Sequence, residues 1–203
     1  MFPITLGVIV LTCLISASAF NNARITDALI FWPPAIHQQR QYYRFLTCGL
    51  IHADLMHLAF NMLTLYFFGR IMEPWYQGEL GLPHYYYLIL YAGAVIVANI
   101  PTYIKRRDDY NYRSLGASGG VCAVLFAFVL MRPWQTITVL VIPVPAIIYA
   151  LLFLGYSVYM SRRGGDNINH DAHFWGSVYG LFFAFLLDPT HGKGFMDTIM
   201  HPR

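Results

Sequence analysis

Ser118 stands in the run Gly116-Ala117-Ser118-Gly119, where a polar loop gives way to a long apolar stretch. Glycines on either side leave room for another chain to come close to the hydroxyl. A serine just inside a helix start also lies among backbone N–H groups without intrahelical acceptors, and such groups can stabilise an oxyanion. Small residues around a serine equally suit plain packing of membrane helices, so this run alone does not decide the chemistry. The histidines bear on it. His57 and Asn61 are four residues apart and share a helix face. His173 is followed by Gly176 and Gly180 on its own face, a slim surface that invites a neighbouring helix. Ser118, Cys122 and Leu125 share one face of their helix, beside the small residues Gly119, Gly120 and Ala123. Two small-residue faces, one with a hydroxyl and one with an imidazole, are suited to meet. Their contact makes the nucleophile–base pair of acyl transfer. His57 and Asn61 would then supply side-chain donors to an oxyanion. The alternative for that pair is hydrogen bonding between helices.

These groups must be held at membrane depth. Of 203 residues 57% are hydrophobic, 17% aromatic and only 11% charged, where a soluble domain carries about 25% charged residues. With a mean hydropathy of +0.48, the composition indicates one all-α polytopic membrane domain over the whole chain. Apolar runs predict spans at about 3–20, 55–71, 85–104, 116–131, 146–160 and 172–187. The first lacks the basic flank of a signal peptide and is taken as a membrane helix. Asp54 is the expected N-cap of the second. Residues 21–51, with Trp32-Pro33-Pro34 and Tyr42-Tyr43-Arg44, predict a loop lying on or in the bilayer surface. Pro143 and Pro145 argue against a helix over 134–145. The polar run Arg162–Asn167 with Gly164-Gly165 is a candidate lid.

Other chemistries have less behind them. The net charge is only +3, and no basic run has the length of a nucleic-acid site, so no nucleic-acid partner is expected. Cys13, Cys48 and Cys122 show neither disulfide nor metal spacing. His52, His57, His170 and His173 could be read as ligands of a membrane metalloenzyme. The spacing of His52 and His57 is poor for one helix face, however, and no intramembrane carboxylate completes the set. His52, ahead of the Asp54 cap, reads as a loop-fixing group.

Taken together and in order, the motifs resemble those of the rhomboid intramembrane serine proteases over nearly the whole chain. His52-x4-His57-x3-Asn61 matches the family's second-helix motif, Gly116-Ala117-Ser118-Gly119 its G-x-S-G, and Ala172-His173-x2-Gly176-x3-Gly180 its last-helix motif. The resemblance implies a six-transmembrane-helix bundle that cuts transmembrane segments of other proteins. Ser118 would be the nucleophile and His173 the general base. His57, Asn61 and the backbone N–H of Ser118 would form the oxyanion hole. It implies no cofactor and no metal, partners that are transmembrane protein substrates and the lipid bilayer, and residence in the bacterial inner membrane. Tyr43-Arg44 looks like the family's structural aromatic–Arg pair. A catalytically inactive, client-binding relative would normally lack the serine or the histidine, and both are present. The chain departs from the family at Cys122, where an aromatic often packs against the catalytic imidazole.

Charge placement conflicts with the orientation implied by the resemblance. Most of the 13 Lys and Arg residues (Arg24, Arg40, Arg44, Lys105, Arg106, Arg107, Arg113, Arg162 and Arg163) flank the loops on the serine's side. The positive-inside rule would put that side in the cytoplasm, whereas bacterial rhomboids are expected to open outward. The outward orientation is adopted, with several of these cations expected to sit in an embedded loop or pair with Asp108, Asp109 and Asp166.

Overall fold

The computed structural model describes residues 2–139, 141–165 and 168–200. Pro3 opens α1 (Pro3–Phe20), where its missing N–H costs nothing. The N–H groups of Ile4 and Thr5 donate to the Glu73 carboxylate at 2.9 and 2.7 Å, and Thr5 Oγ1 donates to it at 2.7 Å. These donors, together with the positive end of the helix dipole, compensate the fully buried carboxylate. Glu73 belongs to α5 (Leu55–Gly78), which runs past the predicted end of the second span with Pro74 inside it. That carboxylate is committed to the start of α1.

Between these helices α2 (Ala23–Leu29), α3 (Pro33–Gln39) and α4 (Arg44–Thr47) build the predicted loop. Arg44 is buried within it, donating to the carbonyls of Asp27 and Ile30 at 2.7 and 2.8 Å and to Gln41 Oε1 at 2.6 Å. Its guanidinium thus ties the end of α2 to the Gln41 side chain ahead of α4. Asp54 caps α5 by accepting the His57 N–H at 2.8 Å, as expected.

After α6 (Tyr85–Arg106) comes α7 (Ser118–Met131), the central helix. Every residue of α7 from Gly119 to Leu130 is buried, which suits a helix apolar on all sides. It starts two residues later than predicted, because Gly116 has φ +122° and cannot be helical. Residues 136–139 and 142–145, within the stretch where prolines argue against a helix, pair as two strands. These strands, β1 (Thr136–Val139) and β2 (Ile142–Pro145), run antiparallel, with Thr136 opposite Pro145. Proline is tolerated on such an edge. α8 (Ala146–Arg163) extends beyond its predicted end, and α9 (His170–Leu187) packs along α7. A final helix, α10 (Pro189–Met200), was not foreseen.

Among the described residues three helices, α1, α5 and α6, are long and apolar enough to cross a membrane. α7 is apolar but has 14 residues, roughly 21 Å at 1.5 Å per residue, short of a bilayer core of about 30 Å. Several of the serine-side cations are paired: Lys105 with Asp171 at 2.7 Å, Arg106 with Asp109 at 3.1 Å and Arg107 with Asp108 at 3.3 Å. Arg113 lies 4.7 Å from the Trp32 ring centroid. The expected pairing of Asp166 lies outside the described residues. So does part of the candidate lid, of which Gly164 and Gly165 take φ values of +63° and +103°.

Candidate active site

The loop that delivers Ser118 is anchored residue by residue. Ser114 exchanges two backbone hydrogen bonds with Phe31, at 3.0 and 3.2 Å. The Gly116 N–H donates to Cys48 O at 2.9 Å, and the Ala117 N–H donates to His52 Nε2 at 3.2 Å. His52 is buried outside the helices, and accepting at Nε2 leaves its proton on Nδ1, which lies 3.0 Å from Ser16 Oγ. Ser16 Oγ in turn donates to Leu50 O at 2.9 Å. Burial, reinforced by the neighbouring His57 and only partly opposed by Asp54, pushes the His52 imidazole down to about 4. It is thus neutral at ordinary pH and fixes the loop as expected. Its relay through Ser16 to α1 was not foreseen.

At the end of this loop Ser118 opens α7. The first helical bond at this end runs from Val121 N to Ala117 O at 3.0 Å. The N–H groups of Ser118, Gly119 and Gly120 therefore precede the intrahelical ladder and carry the positive end of the helix dipole.

His57 is held by its Asp54-capped backbone with its ring against Gly116. A β-carbon built on Gly116 would stand 2.7 Å from His57 Cε1 and 2.9 Å from Nε2. The positive φ and the imidazole each exclude a side chain there. One turn along, Asn61 is buried and donates from Nδ2 to His57 O at 2.9 Å. One of its two amide hydrogens is thereby used inside the helix.

His173 comes from the first turns of α9. Asn169 caps that helix, accepting the Ala172 N–H at 3.1 Å and the Thr102 hydroxyl at 3.1 Å. Its amide nitrogen lies 3.3 Å from Asn99 Oδ1 and 3.4 Å from Ser114 Oγ. Asn169 so links α6, the serine loop and α9, a role visible in the sequence only as a cap three residues before Ala172. The glycine face behind His173 meets α7 as expected. A β-carbon on Gly176 would stand 2.3 Å from Gly119 O, and one on Gly180 2.3 Å from Ala123 O.

These elements enclose a cavity of about 740 Å³ lined by His57, Asn61, Ser118, Cys122 and His173, all four predicted site residues among them. Further walls come from Tyr149 of α8 and from Ser114 and Asn169. A second cavity of about 660 Å³ lies at the far end of α7, around Arg132, Trp134 and Asp197. Two pairs of histidines meet edge-on among the described residues, His52 with His57 at 4.9 Å and His170 with His173 at 5.7 Å. Among the described residues no group of three or more His, Cys, Asp or Glu could hold a metal ion. Cys122 presents a thiol to the cavity, and Phe153 of α8 stacks on the His173 imidazole.

A rhomboid-domain family profile matches residues 39–189. The chain is 31% identical over 146 residues to the putative rhomboid protease YdcA of Bacillus subtilis, covering 72% of this chain and 67% of that protein. It is 28% identical over 144 residues to the mitochondrial RHOMBOID-like protein 12 of Arabidopsis thaliana, covering 66% of this chain but 43% of the relative. Similarity to the rhomboid protease GlpG of Haemophilus influenzae is 26% over 163 residues, or 78% of this chain and 76% of that protein. The chain thus spans less than half the length of the plant relative.

Proposed function

The chain belongs to the rhomboid family of integral membrane proteins, and on that premise we propose that it is an intramembrane serine endopeptidase with a Ser118–His173 dyad. The observation that carries this reading is the single cavity that Ser118, His173, His57 and Asn61 share at the first turn of α7. In this reading α1, α5, α6, α7, α8 and α9 are the six spans, and the short α7 is sheathed by the others. Its depth supports that view, since its flanks meet protein on all sides.

Ser118 Oγ attacks the scissile carbonyl carbon as His173 takes its proton. The carbonyl π electrons move to oxygen, and the negative charge develops beside the N–H groups that precede the α7 ladder. The His57 imidazole and the second hydrogen of Asn61 Nδ2 complete the set of donors. His173 then returns the proton to the leaving amine. An acyl group remains on Ser118 until a water, deprotonated by His173, releases it. The cavity of about 740 Å³ has room for an extended segment and for several waters at about 30 Å³ each.

Helical substrates hide their carbonyls in hydrogen bonds, so cleavage requires local unwinding. Glycine and other weak helix formers near the cut favour it. Bacterial relatives that the chain matches over two thirds or more of their length support a bacterial inner-membrane setting. Labelling with a fluorophosphonate probe in detergent tests the reading. Wild type is expected to react and Ser118→Ala not to react, while equal labelling of both would overturn it.

A further inference from the structure

Resting on the dyad reading, we infer that Phe153 of α8 is the positioning residue for His173, so that the seating of α8 sets the orientation of the base. The Phe153 ring stacks on the His173 imidazole with centroids 5.7 Å apart and planes at 29°. It is held in turn by Tyr149, stacked at 5.7 Å and 25°, and by Phe126 of α7 at 6.1 Å and 47°. One turn on, Tyr156 meets His170 edge-on at 5.5 Å, and His170 meets His173 edge-on at 5.7 Å. The base therefore sits between a face contact and an edge contact, and α8 supplies the face. On the other side, Ser118 and Cys122 of α7, both with small side chains, line the cavity that His173 also lines. A thiol cannot restrict rotation of an imidazole as a ring face does.

α8 is buried along one narrow strip. Of its 18 residues only Ala146, Ile147, Ala150 and Ser157 are buried. Leu151, Leu152, Tyr156 and Tyr159 face outward at 53% to 68% exposure. The helix is entered from β2 and left through Gly164 and Gly165, both at positive φ. If α8 tilts away, Phe153 goes with it and His173 loses its face contact.

The test measures kcat and KM for a model transmembrane substrate, the rate of fluorophosphonate labelling and the melting temperature. Phe153→Leu keeps apolar bulk and removes the face. It is expected to lower kcat and labelling about three- to tenfold, as loss of a ring pair would, with KM and melting temperature little changed. Phe153→Tyr, which keeps the ring, is expected to retain activity. Cys122→Phe alone should also lower kcat, because a ring at that buried position fills part of the cavity that Ser118 and His173 line. Combined with Phe153→Ala, Cys122→Phe is expected to restore labelling above that of Phe153→Ala. Wild-type kcat in Phe153→Leu would overturn the inference. So would a folded double variant no better than Phe153→Ala, and if the double variant does not fold, Phe153→Leu against Phe153→Tyr decides. Ser118→Ala and His173→Ala run alongside. If they are inert while Phe153→Leu is normal, the dyad stands and only this inference falls.

Discussion

Gly176 and Gly119 are in backbone contact: a β-carbon on Gly176 would stand 2.3 Å from the Gly119 carbonyl oxygen. This approach draws α9 against the first turn of α7 and brings the helix bearing His173 beside Ser118. The neighbour is backbone, so no side chain can swing away to make room. Gly176→Ala should therefore cost about 1–3 kcal/mol, the range for overpacking. Gly176→Val should leave little folded protein. Thermal melts in detergent check this, and an unshifted midpoint in Gly176→Ala would mean that the helices separate at no cost.

Acid should loosen the serine loop through His52. Its folded value, lowered to about 4, lies below the ordinary 6.5. The neutral form is thus favoured by folding, and its stabilisation is complete above pH 6.5. It is lost as pH falls from 6.5 through 4, where the unfolded chain binds more protons, to a total of about 3 kcal/mol. Protonation also removes the acceptor for the Ala117 N–H. His52→Gln offers an amide oxygen in place of Nε2 and does not titrate. Its melting temperature should fall less than that of wild type between pH 6.5 and 4, and parallel curves would remove His52 as the cause.

His57 and Asn61 separate a catalytic from a structural role. Loss of one oxyanion donor typically costs a hundredfold to a thousandfold in turnover, about 3 to 4 kcal/mol. A hydrogen bond between membrane helices averages about 0.6 kcal/mol. His57→Ala should lower kcat in the first range. Asn61→Ala should be milder, since one of its amide hydrogens already serves His57 O within the helix. Turnover at saturating substrate, set beside melting temperature, decides. Near-normal turnover with a large drop in melting temperature would make the pair structural.

Chelators should leave activity intact, because every group the mechanism uses is an organic side chain or a backbone amide. Incubation with EDTA or o-phenanthroline followed by the cleavage assay checks this. Loss restored by zinc would favour a histidine-ligated metal reading.

That Ser118, His57, Asn61 and His173 could share one cavity was legible because their signals are local: a serine between glycines, a histidine four residues before an asparagine, a histidine ahead of a glycine face. The Asp54 cap was legible for the same reason. Contacts made across the fold were not. Glu73 meets Thr5 across 68 residues, and nothing near either residue announces it. Phe153 reads as one more aromatic on an apolar helix, although Tyr149 four residues earlier marks a ring face. The helix start at Ser118 depends on the φ of Gly116, which an apolar run does not record. The strand pair of 136–139 and 142–145 was masked by its prolines, which argue against a helix without specifying a strand. By length and composition α1, α5 and α6 are long and apolar enough to cross a membrane, whereas α7 and α9 carry the small and polar residues of the candidate site.

The most direct test of the dyad is cleavage of a model transmembrane substrate in proteoliposomes by wild type, Ser118→Ala and His173→Ala at matched insertion and melting temperature. The account predicts a single internal cut by wild type and none by either variant. Cleavage at the wild-type rate by either folded variant would contradict it.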